Sequence, residues 1–472
     1  MSYQSFRHDR EELKELLHNY DNLKSGRSFT YIEEDGFERI IEYFNEKEKF
    51  TEALEAVNFS IEQFPYSTSL LIKKADILIS LRCFEDALKI LEMASNFGIE
   101  DSAFFIIKID ALLALELNTE ADEVFYQAIE SCEQEEKVNL LFELTEVYDD
   151  YEYFDKVFDC LRMILELDSS NEEALYKICF WTDFTGRNEE GIKLYQTIIN
   201  QSPFNELAWF NLGAAYQGIK LYEKSIDAYQ YAIAIEEKFD YAYRNMADAF
   251  IKLKKFNEAI EALEKVINLS RPESILYEAI GHCHDKLNNF TQARSNYKKA
   301  LHLNPEDTQL HYKIGCTYMH ENSWNNAIKS LQTALKIYVM QPEYNLAIGR
   351  CYLELHNYED AITYLGNVVR VRPKNINGWI ELLNCFHQAE LYEDGFEYAA
   401  IAFEQTGSKI IFVYYQSAFL FASGQSKQAI IYLENALHVN PKLVKHFIEL
   451  NPSILQNQLV VDLLAKYKKT KK

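Results

Sequence analysis

The sequence predicts an all-α chain built as a solenoid of stacked helix pairs. Three observations predict it. Small residues recur on a 34-residue beat: Ala53, Ala87 and Ala121, then Ala259, Ala293, Ala327 and Ala361, with Ala429 two beats further on. An aromatic stands three residues before most of them, at Phe50, Phe84, Phe256, Phe290, Trp324 and Tyr358. With 8 Pro and 15 Gly in 472 residues, there is little punctuation for long loops or a strand-rich fold. A fixed period of this size marks a supersecondary unit that cannot bury its apolar face alone and stacks on its neighbours. The core then grows along one axis, which escapes the size limit of a single globular core.

Setting the phase by these alanines divides the chain into an N-terminal segment, 1–33, twelve repeats over 34–443, and a C-terminal segment, 444–472. In the first segment, Arg10–Leu23 reads as a capping helix. The repeats start at Glu34, Thr68, Ser102, Val138, Glu172, Glu206, Asp240, Ser274, Thr308, Pro342, Ile376 and Ile410. Every step is 34 residues except 102 to 138, which is 36; the two extra residues fall in the acidic stretch Glu133–Lys137. Each repeat reads as two amphipathic helices. In the sixth, Leu207, Trp209, Leu212 and Tyr216 have helical spacing, a break follows at Ile219–Leu221, and Ile226, Tyr229 and Ile233 mark the second helix. Gly213, Gly281, Gly315 and Gly349 on first helices, and the Ala53-type slot on second helices, are places of close helix approach. Pro65, Pro203, Pro305, Pro373 and Pro441 all fall at the end of a unit, where a helix stops. Val157 replaces alanine in its slot and is expected to widen the local helix spacing. Residues 444–468 read as one C-terminal capping helix with a basic tail, Lys466, Lys468, Lys469, Lys471 and Lys472.

This pattern resembles the tetratricopeptide repeat (TPR). One unit supplies Trp209, Leu212, Gly213, Tyr216, Ser225, Tyr229 and Ala232; another supplies Tyr277, Ile280, Gly281, His284, Ala293, Tyr297, Ala300 and Pro305. The resemblance covers 410 of the 472 residues and implies a right-handed TPR superhelix, an α-solenoid of about twelve helix-turn-helix repeats with capping helices at both ends. The layout is similar to long all-TPR cytoplasmic proteins of bacteria, which specifies architecture and says little about the job.

Composition narrows the function. No run reaches the roughly 18 apolar residues of a membrane span, and Met1–Tyr20 is charged throughout, so no membrane insertion, no secretory signal and a cytoplasmic location are expected. None of the eight cysteines is in a CxxC pair, and Cys283, Cys351 and Cys385 share one repeat position, which reads as buried free thiols. Net charge is −25, concentrated in residues 1–170, with 39 acidic against 16 basic residues. This field disfavours a phosphate backbone, so no nucleic-acid partner is expected, and it favours a basic protein or peptide. There is no P-loop, GxGxxG, HExxH or GxSxG motif. His282, Cys283 and His284 with Cys316 and His320 form the one group with zinc-type ligands, but neighbouring repeats lie about 10 Å apart, too far for easy shared coordination. No catalytic residue, metal or cofactor is expected.

In TPR proteins the first helices line the concave surface, and positions 2, 5, 6, 9, 12 and 13 of each repeat face it. Transferred to this chain, position 9 holds Glu42, Asp76, Asp110 and Glu146 in four successive repeats, a carboxylate ladder that Asp149, Asp150 and Asp183 extend. Arg39 and Lys73, at position 6, are expected to neutralise Glu42 and Asp76. Next along the same face come Tyr176, Phe180, Phe184 and Phe210, then Asn211, Tyr241, Arg244 and Asn245. Asn211 and Asn245 share position 6 of adjacent repeats, where amides could hold the backbone of an extended peptide. The expected function is a non-catalytic scaffold or adaptor that binds a peptide segment, a basic one on the charge argument, in its groove. Two alternatives stay open: a structural subunit of a larger assembly that uses its convex face or ends, and an accessory protein to an enzyme. The oligomeric state is left open.

Overall fold

A computed structural model describes residues 3–27, 31–98, 101–338 and 341–469. Among the described residues it holds α-helices, two short 3-10 turns and no strand. Helix α1 (Tyr3–Lys24) comes first. Twelve pairs follow: α2 and α3 (Glu34–Glu46, Phe50–Gln63), α4 and α5 (Thr68–Ser80, Phe84–Ser95), α6 and α7 (Ser102–Ala114, Asn118–Ser131), α8 and α9 (Gln134–Asp150, Phe154–Leu167), α10 and α11 (Glu172–Phe184, Asn188–Gln201), α12 and α13 (Glu206–Gly218, Tyr222–Ile235). The series continues with α14 and α15 (Asp240–Lys252, Phe256–Leu269), α16 and α17 (Ser274–Lys286, Phe290–Leu303), α18 and α19 (Thr308–His320, Trp324–Ile337), α20 and α21 (Pro342–Glu354, Tyr358–Val371), α22 and α23 (Ile376–Gln388, Tyr392–Gln405), α24 and α25 (Ile411–Ala422, Ser426–Val439). The short α26 (Val444–Leu450) and α27 (Gln458–Lys469) end the chain. The contacts divide it into two compact units, residues 1–242 and 243–472, and each is described by itself.

Some boundaries differ from the sequence expectation: α1 already begins at Tyr3 and α24 begins at Ile411. At the long step α8 runs 17 residues from Gln134, so Val138, the expected repeat start, lies one turn inside it. The C-terminal segment is not one helix, because Pro452 cannot continue α26; a 3-10 turn, Pro452–Gln456, intervenes before α27. Phe447, Ile454 and Val460 from these pieces bury themselves against Tyr414, Leu433 and Leu437 of the last pair, which closes the end of the core. Lys471 and Lys472 of the basic tail lie outside the described residues. At the other end, α1 closes the first pair with Tyr20, whose ring meets Phe37 edge-on at 6.3 Å.

Within a pair, the first helix ends in one recurrent turn. The fifteenth residue of the repeat takes a left-handed backbone in all twelve pairs, for example Glu48 (φ 54°), Arg82 (60°), Glu116 (60°), Lys254 (60°), His356 (56°) and Gly424 (82°). The next N–H then reaches back over six residues: Cys83 to the Leu78 carbonyl (2.8 Å), Lys255 to Phe250 (2.9 Å), Asn357 to Tyr352 (2.9 Å). This is the bond pattern of a Schellman turn. Among these twelve positions only Gly186 and Gly424 are glycine; the rest hold side chains in a region that costs about 1–2 kcal/mol. The missing glycines hid the turn's geometry from the sequence pattern.

Packing between the two helices is set by size compensation. The alanine slot is fully enclosed from Ala53 to Ala429, and Ser225 fills it without exposure in the sixth pair. Val157 is buried in the same core as Phe158 and Leu161. A Cβ on Gly213 would sit 2.6 Å from the Tyr229 ring, so the glycine is what lets that buried tyrosine lie flat between α12 and α13. Links between pairs end in side-chain caps: Ser67, Asp101, Asn171, Asn205, Asp307 and Asn375 each accept a backbone N–H from the first turn that follows.

Candidate interaction face

Consecutive first helices pack on one another: α4 on α6, α6 on α8 and α10 on α12 in the first unit, α18 on α20 and α20 on α22 in the second. They form a layer with one side on the second helices and the other in solvent. Position 9 of each first helix lies toward the next repeat, and there the carboxylate ladder is largely consumed. Lys73 Nζ lies 2.5 Å from Glu42, and Lys177 Nζ lies 2.8 Å from Glu146. Each lysine occupies position 6 of the following repeat, 31 residues on. With the charges reversed, the same contact joins Arg350 to Glu381 at 2.6 Å; its neutral form joins Tyr415 to Asn384 at 2.8 Å. Arg39 does not neutralise Glu42; it pairs with Glu12 of α1 at 3.1 Å.

The middle of the ladder lacks these cations, since Ile107 and Glu143 stand at position 6 of the repeats that follow Asp76 and Asp110. Asp76 accepts from Asn45 Nδ2 at 3.3 Å and Asp110 from the Tyr151 hydroxyl at 2.6 Å. Burial pushes both carboxyls above the usual aspartate range. For Asp110 the Tyr151 bond opposes that, while the charges of Asp150 and Asp76 add to it. Asp110, Asp150, Tyr151 and Arg82 line an open cleft of about 430 Å³. Tyr151 was not singled out by the sequence pattern, because it stands one residue beyond the end of α8. Asp149, Asp150 and Asp183 are exposed.

On α10, Tyr176, Phe180 and Phe184 are 61%, 59% and 56% exposed. The Phe180 and Phe184 rings stack on each other at 5.5 Å, 23° from parallel. Phe154 and Trp181 support them from beneath; Phe154 meets Phe184 edge-on at 4.9 Å and Trp181 meets Phe180 at 5.0 Å. These two supports were missed because they occupy packing positions of the repeat. Phe210 is half-buried against Phe239 and Tyr229.

The asparagine reading is corrected at Asn211. Its side chain is 2% exposed, and Nδ2 donates to the Leu175 carbonyl of α10 at 2.8 Å, so the amide serves as an internal clamp and is not open to a partner. Tyr241 is exposed in the first unit. Across the division, in the second unit, Arg244 pairs with Glu273 at 2.6 Å and Asn245 is half-buried.

A feature the sequence did not announce lies on the second-helix side. Trp209 and Trp379, at the same repeat position in the two units, donate Nε1–H to the carbonyls of Pro203 (2.8 Å) and Pro373 (2.7 Å). Each indole walls an open cleft, about 410 Å³ beside Tyr216 and Tyr231, and about 540 Å³ beside Tyr398 and Ile401.

All eight cysteines are free. Burial raises four of these thiols, Cys283 to about 11 and Cys179, Cys351 and Cys385 to about 12, which disfavours the reactive thiolate there. His320 stacks on Phe290 at 5.4 Å, and among the described residues no group of three or more His, Cys, Asp or Glu is placed to hold a metal ion. No described helix is long and apolar enough to cross a membrane.

The family model for the C-terminal ARM domain of tetratricopeptide repeat protein 21 matches residues 216–350, and a tetratricopeptide repeat model matches 342–375. Over residues 216–375 the chain is thus similar to tetratricopeptide repeat proteins. Such arrays serve in general as protein-interaction scaffolds and not as catalysts. Solved structures similar to this chain include YrrB, described as a TPR protein with an unusual peptide-binding site (17% identity, 39% of this chain and 95% of that one, TM-score 0.34). Others are the C-terminal part of a TPR protein from Cytophaga hutchinsonii (15%, 54% and 99%, 0.44) and the Cut9–Hcn1 heterotetramer of the APC/C (14%, 91% and 96%, 0.34). No curated protein sequence matches.

Proposed function

We propose that this protein is a non-catalytic scaffold that holds a segment of another protein along its first-helix face, and that the segment is basic. One observation carries the reading: α10 leaves Tyr176, Phe180 and Phe184, four residues apart on one helix edge, open to solvent beside carboxylates. Exposed aromatics grouped in this way are a mark of interaction surfaces. The surrounding charge supports a basic occupant, because residues 91–170 carry 21 acidic and 4 basic residues. The eight unpaired cysteines support a reducing, cytoplasmic setting.

The test uses the full chain and two labelled octapeptides, alternating Ala–Lys and Ala–Glu, followed by fluorescence anisotropy. The lysine peptide binds, the glutamate peptide does not, and affinity falls about tenfold or more between low and physiological salt. Equal binding of the two peptides, or binding indifferent to salt, would overturn the basic-segment reading.

A second reading, a subunit of a larger assembly, is favoured by the paired Trp209 and Trp379 clefts on the second-helix side. A monodisperse monomer on sizing at native concentration counts against it.

A further inference from the structure

We propose that Phe180, Asp183 and Phe184 form a ledge that receives an arginine side chain of the partner segment. The inference rests on the first-helix reading above and narrows it from basic segments to one side chain.

The chain itself contains the complete version of this arrangement, twice. Arg294 lays its guanidinium 4.4 Å from the centre of the Tyr318 ring while Nη1 pairs with Glu321 at 2.7 Å. Ring and acid there stand three residues apart, the ring in the last turn of α18 and the acid just past its end. Arg187 lies 4.2 Å from the Phe158 ring and pairs with Asp159 at 2.9 Å and Glu190 at 2.7 Å. In both, a planar cation covers a ring and turns its N–H edge to a carboxylate. The lysines that approach rings in this chain stay further out, for example 5.3 Å for Lys108 and 5.8 Å for Lys156. That is the expected difference between a weakly hydrated plane and a strongly hydrated point charge.

Phe180 and Asp183 repeat the Tyr318–Glu321 spacing, and Phe184 extends the ring surface by stacking on Phe180. What is absent is the arginine. Both rings are more than half exposed, and the Asp183 side chain is exposed with no ion pair or hydrogen bond among the described residues. The nearby cations are committed elsewhere: Lys177 to Glu146 and Glu173, Arg187 to Asp159 and Glu190. A ring face attracts a cation, and a carboxylate at its edge accepts the guanidinium N–H groups. A guanidinium satisfies both at once, whereas an ammonium serves one at a time. The ledge is therefore complementary to arginine in shape and in charge.

The test is a comparison of alternating Ala–Arg and Ala–Lys octapeptides of equal charge on the full chain at physiological salt. The wild type prefers the arginine peptide by about fivefold or more. The double variant Phe180→Leu, Phe184→Leu keeps the charge and an apolar surface; it brings the ratio to within about twofold by weakening the arginine peptide more than the lysine peptide. Asp183→Asn weakens the arginine peptide by about three- to tenfold with an unchanged melting temperature. An arginine preference that survives loss of both rings, or its absence in the wild type, overturns the ledge. Salt-sensitive, equal binding of both peptides overturns the ledge alone and leaves the basic-segment reading standing; binding of neither overturns both.

Discussion

The carboxylates of α2 to α8 and the aromatic–acid edge of α10 occupy the same layer of first helices, yet they differ in what is left for a partner. Along the ladder, Glu42 and Glu146 are bound by lysines of the following repeat, and Asp76 and Asp110 are held by Asn45 and Tyr151. On α10, the Asp183 carboxylate has no partner among the described residues, and Phe180 and Phe184, which rest on Phe154 and Trp181, keep more than half of each ring in solvent. The cause is positional. Position 9 of one repeat lies against position 6 of the next, so residues that align most regularly along the array are the ones neighbouring repeats use for each other. Asp183 and Phe184, at positions 12 and 13, lie beyond that contact; Phe180 stands at position 9, but position 6 of the next repeat is Asn211, whose amide is spent on the Leu175 carbonyl. In a solenoid, periodic alignment marks the seam between repeats first and a binding surface second.

The largest expected effect that separates the two classes is at Asn211. It was read as a partner residue, and the structure makes it a seam residue. Asn211→Ala removes the amide that donates to the Leu175 carbonyl beside its α-helical bond, which costs about 0.5–1.5 kcal/mol, while Phe180→Leu stays within about 0.5 kcal/mol of wild type. Urea unfolding of both variants measures this, and peptide anisotropy gives the reverse order. A stable Asn211→Ala protein with impaired peptide binding would return Asn211 to the partner surface.

Much of this was legible in the sequence. The 34-residue beat specifies the helix pairs, because an enclosed alanine such as Ala53 tolerates no larger side chain without repacking, and the slot therefore repeats. The aromatics three residues earlier prove to be the first residues of second helices, as at Phe50 and Phe256. The exposed edge of α10 was also legible, since Tyr176, Phe180 and Phe184 fall four residues apart. What periodicity could not supply was the partner of each polar group. Arg39 turns to Glu12 of α1, outside the repeat frame, and Asn211 turns inward to a backbone carbonyl, which has no sequence signature. The left-handed turn residues were equally hidden, because Glu116 and Lys254 take a conformation for which glycine is the usual marker.

A smaller effect tests the seam at its charged end. Lys177 is held on Glu146 first and on Glu173 second, and these contacts raise its pKa. Lys177→Met removes them at a cost of about 0.5 kcal/mol, the scale of a partly exposed pair. It also releases two carboxylates beside Tyr176, so the Ala–Lys peptide should bind about twofold more tightly at low salt. The two measurements move in opposite directions. If peptide affinity fell together with stability, Glu146 and Glu173 would belong to the seam even when unpaired.

The smallest effect probes the middle of the ladder, where the seam is neutral. Burial raises the Asp110 carboxyl above its ordinary value, so the folded state holds this proton more tightly than the unfolded chain does. The folded protein is therefore favoured below the ordinary aspartate range, and this contribution is lost as pH rises through the raised value. Asp110→Asn removes the titration and can still accept the Tyr151 hydroxyl through its amide oxygen. Thermal melts of the variant and the wild type should nearly coincide near pH 4. They should then diverge toward neutrality, with the variant higher by about 1–2 °C. If the variant instead melts lower at neutral pH, by an amount that Tyr151→Phe reproduces, the Tyr151–Asp110 bond outweighs the burial of the charge. The middle of the ladder would then be as firmly tied as Glu42 and Glu146 are, and α10 would hold the open carboxylate of this face.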